Sequence, residues 1–305
     1  MIHLGVEILP PTEIVERVLK VISDVPDTDQ PDKTGILMEV WRESLSGLAR
    51  IHRIDYTNYK NKPIFDNQPF VISNFRDQQK QGVFVCRGRV KLATDDIEMT
   101  LGEDDYKLLI IPSGVSYALF CLSREMRMFT FYENSLADDK YHSFPGKTHL
   151  IEEASAEFKP IKGCQHEHFT VYNHQSGMEE IKQINFTVAD AGLIKGQHFH
   201  ERQKDLWFIM EGQKMGVILN TVDRQSKNYT PTNPALEVDE YITQENEFTV
   251  LDIPRWVAHG YVGLTETRLL YGVTNEYVHD PEHRDEGRID PNLFDWDKWS
   301  DHVEE

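Results

Sequence analysis

Two histidines that flank one phenylalanine, His198 and His200, are the residues with the clearest potential for chemistry. They lie in the stretch GLIKGQHFHERQKDLWFIMEG (192–212), where short alternating runs bounded by glycines are typical of antiparallel strands and hairpins. Because residues two apart on a strand point to the same face, both imidazoles are expected on one face. A carboxylate, Asp205, follows on the next stretch. Together they predict a functional site inside a small β-barrel.

Most of the chain that must position these residues has the pattern of short strands. Apolar runs recur from about Gly35 onward, among them VFVCRG (83–88) and EFTVLDIP (247–254). Residues 11–24, PTEIVERVLKVISD, differ because Ile14, Val18 and Ile22 fall on one helical face and Thr12 can cap a helix. The sequence therefore predicts an all-β fold with a short N-terminal helix.

The chain also contains two related halves. VFVCRG aligns with LWFIMEG (206–212) at an offset of 212 − 88 = 124 residues, and LLIIPSGVSYALFCLS (108–123) aligns with residues 249–265 at 254 − 112 = 142. At these offsets Asn74-Phe75-Arg76 replaces the His-x-His pair, and Tyr117 replaces His259. We therefore expect a degenerate, structural domain over 1–150 and a domain carrying the site over 151–305.

Composition and charge exclude several classes of partner. With 51 acidic and 32 basic residues the net charge is −19, which argues against binding to nucleic acid or to an anionic membrane. No apolar run approaches the roughly 18–20 residues of a membrane span. Three widely spaced cysteines without a CxxC, and an N-terminus unlike a signal peptide, predict a cytoplasmic protein.

Four motifs of the second half resemble those of the dTDP-4-dehydrorhamnose 3,5-epimerases, a branch of the cupin superfamily. GLIKGQHF (192–199) resembles their G-[VI]-[IL]-R-G-L-H-[YF], and IPRWVAHGY (253–261) resembles IPxGFAHGF. YGVTNEY (271–277) is similar to Y-K-x-[ST]-D-Y-Y, and DEGRIDPNLFDWD (285–297) to E-x-G-I-x-W-x-D-P-x-I-x-I-x-W. In the first half, DKTGILMEVWR (32–42) resembles the family's opening motif. The resemblance implies two tandem cupin, or jelly-roll-like, barrels.

The resemblance also implies an activity, the epimerisation of a nucleotide-diphosphate-linked 4-keto-6-deoxy sugar without a cofactor. Such a reaction removes a carbon-bound proton on one face and returns one on the other, which requires a base, an acid and a group that stabilises the enolate. Matched motif by motif, His198 is the base, Asp290 is its carboxylate partner and Tyr277 is the acid. The nucleotide, the sugar and the number of carbons epimerised stay open.

Substrate contacts carried over from the family include three departures from its pattern. Lys195 stands where an arginine holds diphosphate oxygens, and lysine is cationic but cannot grip bidentately. Asp205 stands where the family has a lysine, so Lys204 beside it is expected to reach inward if the strand is shifted. His200 replaces a glutamine, and both it and His259 are expected to contact substrate.

The same residues fit a second interpretation, the metal-binding cupin pattern G-x5-H-x-H-x4-[ED]-x6-G followed by P-x-G-x2-H, with Trp256 in place of the glycine. Three imidazoles and one carboxylate suit a divalent transition metal in an oxygenase or an isomerase. A metal would occupy the base proposed above, so the two interpretations compete. The metal ligands would be His198, His200, Asp205 and His259.

Two further expectations concern a non-catalytic function and the oligomeric state. A non-catalytic, sugar-binding bicupin stays open as a third function. Since members of the resembled family are dimers, we expect either a homodimer or an intramolecular pseudo-dimer between the two halves.

Overall fold

The computed structural model describes backbone and side chains for parts of the chain, and for the other strand residues the backbone alone. The fully described residues are 35–44, 48, 51–58, 80–93, 98–103, 106–112, 115, 117, 119–133, 181–210, 213–220, 238–240, 242–243, 250–278, 280 and 283–303.

Antiparallel strands make up nearly all of the regular structure. In chain order they are β1 Ile2–His3, β2 Val6–Glu7, β3 Val15–Val18, β4 Lys20–Ser23, β5 Gly35–Arg42, β6 Arg53–Asn61, β7 Val71–Asn74, β8 Gln81–Arg87, β9 Arg89–Ala93, β10 Glu98–Gly102, β11 Lys107–Ile111, β12 Tyr117–Cys121, β13 Glu125–Tyr132, β14 Ala154–Ser155, β15 Cys164–Tyr172, β16 Gln183–Ala189, β17 Ile194–Phe199, β18 Asp205–Ile209, β19 Met215–Thr221, β20 Val238–Ile242, β21 Thr249–Ile253, β22 Val257–Gly263, β23 Thr267–Val273 and β24 Gly287–Arg288. Short 3-10 helices follow at Pro291–Leu293 and Asp297–His302.

The chain forms two compact units, and each draws on both halves of the sequence. The first contains Met1–Lys20, Val40–Gly146 and Glu152–Ile181, and the second contains Val21–Glu39, Lys147–Ile151 and Lys182–Glu305. The predicted boundary between residues 150 and 151 lies outside the described residues and stays a prediction.

The first unit pairs a seven-stranded sheet, β14-β15-β6-β13-β8-β11-β3, with a four-stranded sheet, β10-β9-β12-β7. Side chains from both sheets meet in one apolar cluster that includes Val85 and Leu109 from the first and Leu92 and Leu119 from the second. Alternating strand residues supply this layer, as expected for two sheets packed face to face. Among the described residues, an apolar cluster therefore lies between the two sheets of the first unit.

The second unit pairs a six-stranded sheet, β21-β18-β23-β16-β5-β4, with a five-stranded sheet, β20-β19-β22-β17-β24. Strand β19 demonstrates the alternation, because Val217 and Leu219 pack between the sheets while Ile218 faces outward. On that outer face the C-terminal segment packs with Trp296 and Trp299, which are both buried. Between the two sheets, beside the cluster that contains Val217 and Leu219, the unit has a cavity.

The predicted all-β fold of two cupin-like domains is confirmed, since each unit is a pair of antiparallel sheets. The predicted helix over residues 11–24 is wrong, because that segment contains strands β3 and β4. Its apolar spacing suits either periodicity, and its β-branched residues favour the extended form. The edge of β11 decides the outcome by pairing with β3, where Lys107 is opposite Val18.

Two smaller observations concern the described residues alone. None of the helices among them has the length and apolar character needed to cross a membrane. Cys86 is buried and Cys121 is partly buried, and their thiols donate to the backbone carbonyls of Arg127 and Ser123.

Candidate functional site

The second unit encloses a cavity of about 670 Å³ between its two sheets. Its lining combines apolar residues such as Leu269 and Val273 with polar residues from β16 such as Gln183 and Asn185. Cavities of this size that mix apolar walls with a few convergent polar groups are typical small-molecule sites. The cavity also contains most of the residues singled out above.

Four side chains converge beside this cavity: two from β17 and the residue after it, one from β22 in the same sheet and one from β18 in the opposite sheet. The candidate ligand atoms of His198, His200, Asp205 and His259 all lie within 4.8 Å of one another. His198 and His200 share the inner face while Phe199 between them packs into the outer apolar cluster, so the predicted strand alternation is confirmed. His259 on β22 is the register partner of His198.

A bulge in β17 sets the position of His198. The register with β22 is interrupted between Lys195 and His198, and Gly196 occupies the interruption with φ +117°. A Cβ at Gly196 would lie 2.5 Å from the Cα of Gly260 and 2.7 Å from the carbonyl oxygen of His259. Only glycine therefore allows the two strands to approach closely enough for the two imidazoles to meet, with ring centroids 4.4 Å apart.

The turn before β22 has a backbone conformation that favours glycine, which explains why the second metal-binding motif, P-x-G-x2-H, has a glycine at this position. Trp256, which replaces that glycine, has φ +67°, a left-handed conformation that costs a non-glycine residue energy. Its backbone N–H donates to the carbonyl of His200 (2.8 Å), and its ring lies 5.6 Å from that of Phe199. Packing and this hydrogen bond hold the strained residue in place, so the turn keeps the geometry of the motif.

The tautomer of His259 is fixed by its backbone neighbour. Its Nδ1 is 3.0 Å from the carbonyl oxygen of Val257, which can only accept, so Nδ1 carries the hydrogen. Its Nε2 is buried, has no hydrogen-bond partner in the described part of the chain and lies 3.4 Å from Oδ2 of Asp205. In the neutral ring a lone pair thus faces a carboxylate oxygen, an arrangement that a cation or a proton between the two atoms would relieve.

His200 is oriented in the same way by the C-terminal segment. Its Nδ1 donates to the backbone carbonyl of Asp285, which leaves Nε2 directed into the cluster. Nε2 is 3.8 Å from Oδ1 of Asp205 and 3.2 Å from the side-chain amide nitrogen of Gln203. That amide also donates to Oδ1 of Asp205 (2.8 Å). Two of the three imidazoles therefore present Nε2 lone pairs towards one buried carboxylate.

Burial strongly affects the protonation of the cluster. Desolvation, followed by the charges of His259 and His200 and of two arginines, holds the pKa of His198 well below its ordinary value of 6.5. Burial alone would raise the pKa of Asp205, but His200, His259 and the hydrogen bond from Gln203 outweigh it and lower the pKa below 3.8. At neutral pH the site thus contains a neutral His198 and an ionised Asp205.

These donors fit a divalent transition metal. Bonds of about 2.0–2.2 Å from imidazole nitrogen and carboxylate oxygen place neighbouring ligand atoms about 3–4 Å apart, close to the separations found here. Among the described residues, neither Nδ1 of His198 nor Nε2 of His259 has a hydrogen-bond partner, and both atoms are buried. Buried polar groups without a partner are rare in folded proteins. A metal ion would satisfy the Nε2 of His259, whose lone pair faces Asp205.

Comparison with known proteins places the second half of the chain in a known family. Residues 148–298 match the family described as dTDP-4-dehydrorhamnose 3,5-epimerase. The spore coat polysaccharide biosynthesis protein SpsL of Bacillus subtilis is 36% identical over 121 residues, which are 39% of this chain and 74% of that protein.

The chain belongs to the dTDP-4-dehydrorhamnose 3,5-epimerase family. Among solved structures, the family's enzyme from Bacillus anthracis, determined with TDP and PPi bound, is 23% identical over 46% of this chain and 77% of its own, with a TM-score of 0.35. The capsular polysaccharide assembling protein CapF of Staphylococcus aureus is 23% identical over 35% of this chain, with a TM-score of 0.28. The chain covers only 26% of CapF.

Two residues matched to the epimerase motifs do line the cavity. Tyr277 contributes its ring, and Arg284 donates a hydrogen bond to the phenolic oxygen while its guanidinium carbon lies 5.3 Å from the ring centroid. Lys195 lies on β17 opposite Tyr261. The structure thus brings His198, Tyr277 and Lys195 to one cavity.

Asp290 is not brought to His198. It is exposed, and its Oδ1 accepts hydrogen bonds from the backbone N–H and the side-chain amide of Asn292, each at 2.9 Å. It is the N-cap of the 3-10 helix Pro291–Leu293 and does not line the cavity. The Asp-Pro pair explains this role, because aspartate caps a helix well and proline suits its first position.

Lys204 is also absent from the cavity lining. Its ammonium is 2.9 Å from Oδ2 of Asp252, and its backbone N–H donates to the hydroxyl of Thr274 (2.9 Å). Asp205, the next residue, points inward, so the shifted strand that would present Lys204 does not occur. The family's cationic position therefore carries a carboxylate, which changes the charge of the site.

The C-terminal segment supplies site residues that the sequence did not single out. Asp285 reaches His200, Arg284 reaches Tyr277, and Arg288 is the register partner of His198 because β24 pairs with β17. The sequence signal for these residues is the pair Glu286-Gly287, which lies near the start of the stretch that resembles the family's tail motif. Gly287 is required because a Cβ there would lie 2.3 Å from the ring of Phe199.

The first unit contains a neutral counterpart of the site. Asn74 and Tyr117 are register partners, as His198 and His259 are, which agrees with both repeat offsets. Gln81 stands where Asp205 does (205 − 81 = 124), and Tyr117 donates to its side-chain carbonyl at 3.0 Å. A neutral hydrogen bond thus replaces the carboxylate and imidazole. Arg76, the second replacement, lies outside the described residues.

Proposed function

We propose that the second unit catalyses the epimerisation of a nucleotide-diphosphate-linked 4-keto-6-deoxy sugar beside its keto group, at a metal centre. The observation that carries the proposal is the buried cluster of three imidazoles and one carboxylate in the same cavity as Tyr277. Membership of the epimerase family supports the reaction class. The Bacillus anthracis enzyme with TDP and PPi bound supports a thymidine nucleotide as the first one to test.

A divalent metal on His198, His200, Asp205 and His259 would supply Lewis-acid stabilisation of the keto oxygen as negative charge develops there. This role resolves the position of Asp205, because a carboxylate facing an enolate without a cation would oppose the reaction. The family instead has a lysine at this position. The metal would thus provide here the positive charge that the lysine provides elsewhere.

Tyr277 is the proposed proton donor at the sugar carbon. Because a metal would occupy His198, the proton that first leaves the opposite face of that carbon would pass to a solvent-derived base in the cavity. Arginine has donors but no acceptor, so the contact with Arg284 uses a lone pair of the phenol and not its proton. The guanidinium also stabilises the negative charge left on the oxygen after the proton has moved. Lys195 is the proposed contact for the diphosphate, since its flexible cationic chain lines the same cavity.

The competing mechanism keeps His198 as the base without metal. Its low pKa leaves the ring neutral and able to accept a proton. No carboxylate orients its buried Nδ1, however, since that atom has no hydrogen-bond partner among the described residues. The position of Asp290 removes the partner on which this mechanism depended.

The test is incorporation of deuterium from D₂O into dTDP-4-keto-6-deoxyglucose, followed by NMR at the carbons beside the ketone. We expect incorporation by the metal-loaded protein, loss after chelation and recovery after metal is returned. His200→Asn and Asp205→Asn separate the mechanisms, because both remove a metal ligand and leave His198 in place. Exchange that survives chelation and both substitutions would support His198 as the base. If the protein bound the sugar nucleotide but no deuterium entered its carbons, the proposed epimerase activity would be contradicted.

A further inference from the structure

Asp285 has more polar contacts around the site than its place in an acidic tail would suggest. Its carboxylate is about 10% exposed. Oδ1 accepts from the backbone N–H of Glu201 (3.1 Å), and Oδ2 accepts from that of Arg202 (2.9 Å). The side-chain amide of Asn275 also donates to Oδ2 at 3.3 Å. The side chain of Asp285 therefore ties three separate parts of the chain together.

The backbone carbonyl of the same residue makes the contact that concerns the metal site. It accepts the hydrogen from Nδ1 of His200, whose Nε2 is one of the four candidate ligand atoms. The carboxylate accepts hydrogen bonds from the backbone of the turn that immediately follows His200, at Glu201 and Arg202. One residue thus contacts both the ring of His200 and the backbone of the two residues that follow it.

We propose that Asp285 is a positioning residue for metal binding, which sets the tautomer and orientation of His200 by anchoring its own backbone carbonyl to the turn 201–202. The inference rests on the metal centre proposed above. Groups that accept the second ring hydrogen of a metal-binding histidine commonly change metal affinity 10- to 100-fold when they are removed. Here the acceptor is a main-chain carbonyl, so the side chain acts through the backbone that it holds.

The test measures Co²⁺ binding to the full chain through its visible absorption bands, without any substrate. We expect Asp285→Ala to weaken Co²⁺ binding by about 10- to 100-fold and to change the band shape, since His200 can then rotate or exchange tautomer. Asp285→Asn retains one acceptor oxygen for the turn and should restore most of the affinity. A loss of fold stability alone would not change the spectrum of the bound metal.

Asp295→Ala is the matched control. Asp295 is an exposed acid on the same tail whose Oδ1 accepts the backbone N–H of Lys298 (3.3 Å), and it does not line the cavity. We expect its Co²⁺ affinity and spectrum to equal those of the wild type. Wild-type affinity and spectrum in Asp285→Ala would overturn the positioning role while leaving the metal centre intact. Failure of the wild type to bind Co²⁺ would overturn both.

A second measurement does not depend on the folding of a variant. The ¹⁵N shifts of His200 in the metal-free wild type report which ring nitrogen carries hydrogen. We expect hydrogen on Nδ1 and a free Nε2, because a backbone carbonyl can only accept. A His200 ring with its hydrogen on Nε2 would overturn the proposal even if Asp285→Ala proved too unstable to purify.

Discussion

The protonation of one partly buried imidazole, that of His198, links the site to the stability of the protein. The pKa of His198 lies well below 6.5 in the folded state, while an unfolded histidine titrates near about 6.5. Between these values the unfolded chain binds more protons, so stability falls as pH decreases below about 6.5, by up to about 1.4 kcal/mol per pH unit. Asp205, whose pKa is lowered, contributes stability that is lost only at much more acidic pH.

We therefore expect the urea midpoint of the metal-free protein to fall between pH 7 and pH 5.5, and His198→Asn to flatten that dependence. Tryptophan fluorescence can follow the transition, because the second unit contains Trp207, Trp256, Trp296 and Trp299. His302→Asn, which alters an exposed histidine, is the control and should retain the wild-type slope. A slope unchanged in His198→Asn would contradict the assignment to His198.

Two substitutions of Trp256 can be compared with each other, because both lose the same indole ring and differ only in backbone strain. Both Trp256→Gly and Trp256→Ala remove the ring, but only alanine retains the strain of φ +67°. We expect the glycine variant to be more stable than the alanine variant by about 1 kcal/mol in its free energy of unfolding. Equal stability of the two variants, or a more stable alanine variant, would mean that the turn does not hold this conformation in solution.

Among the secondary-structure elements, the close approach of β17 and β22 predicts a specific loss of metal. Gly196→Ala introduces a Cβ against the backbone of β22 and should separate His198 from His259. Sites need their ligands within about 0.5 Å of the productive position, so we expect metal affinity to fall tenfold or more. Titration with Co²⁺ measures the change.

Gly216→Ala is the matched control for that experiment. Its Cβ would meet the ring of Trp299 at 2.3 Å, on the outer face of β19 and away from the cluster. We expect a lower free energy of unfolding in both variants and a lower metal affinity only in Gly196→Ala. Equal losses of metal would show that general destabilisation, and not strand spacing, controls the site.

The sequence predicted the strands of the site better than its tail. Period-two alternation is a local property of a strand, so it predicts His198 and His200 on one face, where the structure has them, and motif spacing adds Asp205, which lies beside them. The tail has no periodicity, and there a difference of a few residues decides which acid reaches the cavity. For that reason the tail motif predicts Asp290 at the site, whereas Asp285 lines the cavity. The helix predicted for residues 11–24 is wrong for a different reason. The strand that forms there pairs with β11, which is distant in the sequence.

At the scale of the whole molecule, the two units predict one metal ion per chain. Gln81 and Tyr117 of the first unit form a neutral pair where the second unit has Asp205 and His259. We expect elemental analysis of metal-loaded, desalted protein to find about one equivalent, and His259→Asn to remove it. Two equivalents in the wild type, or one retained in the variant, would contradict the assignment of the site to the second unit alone.

The sharing of sequence between the units has a practical consequence for protein production. The family match begins at residue 148, but the six-stranded sheet of the second unit takes β4 and β5 from the N-terminal part of the chain. A truncated chain starting at 148 would leave β16 as a bare edge with unpaired backbone groups. Such edges recruit strands from other molecules. We expect that fragment to form aggregates in size-exclusion chromatography, and addition of a peptide spanning residues 20–42 to reduce them.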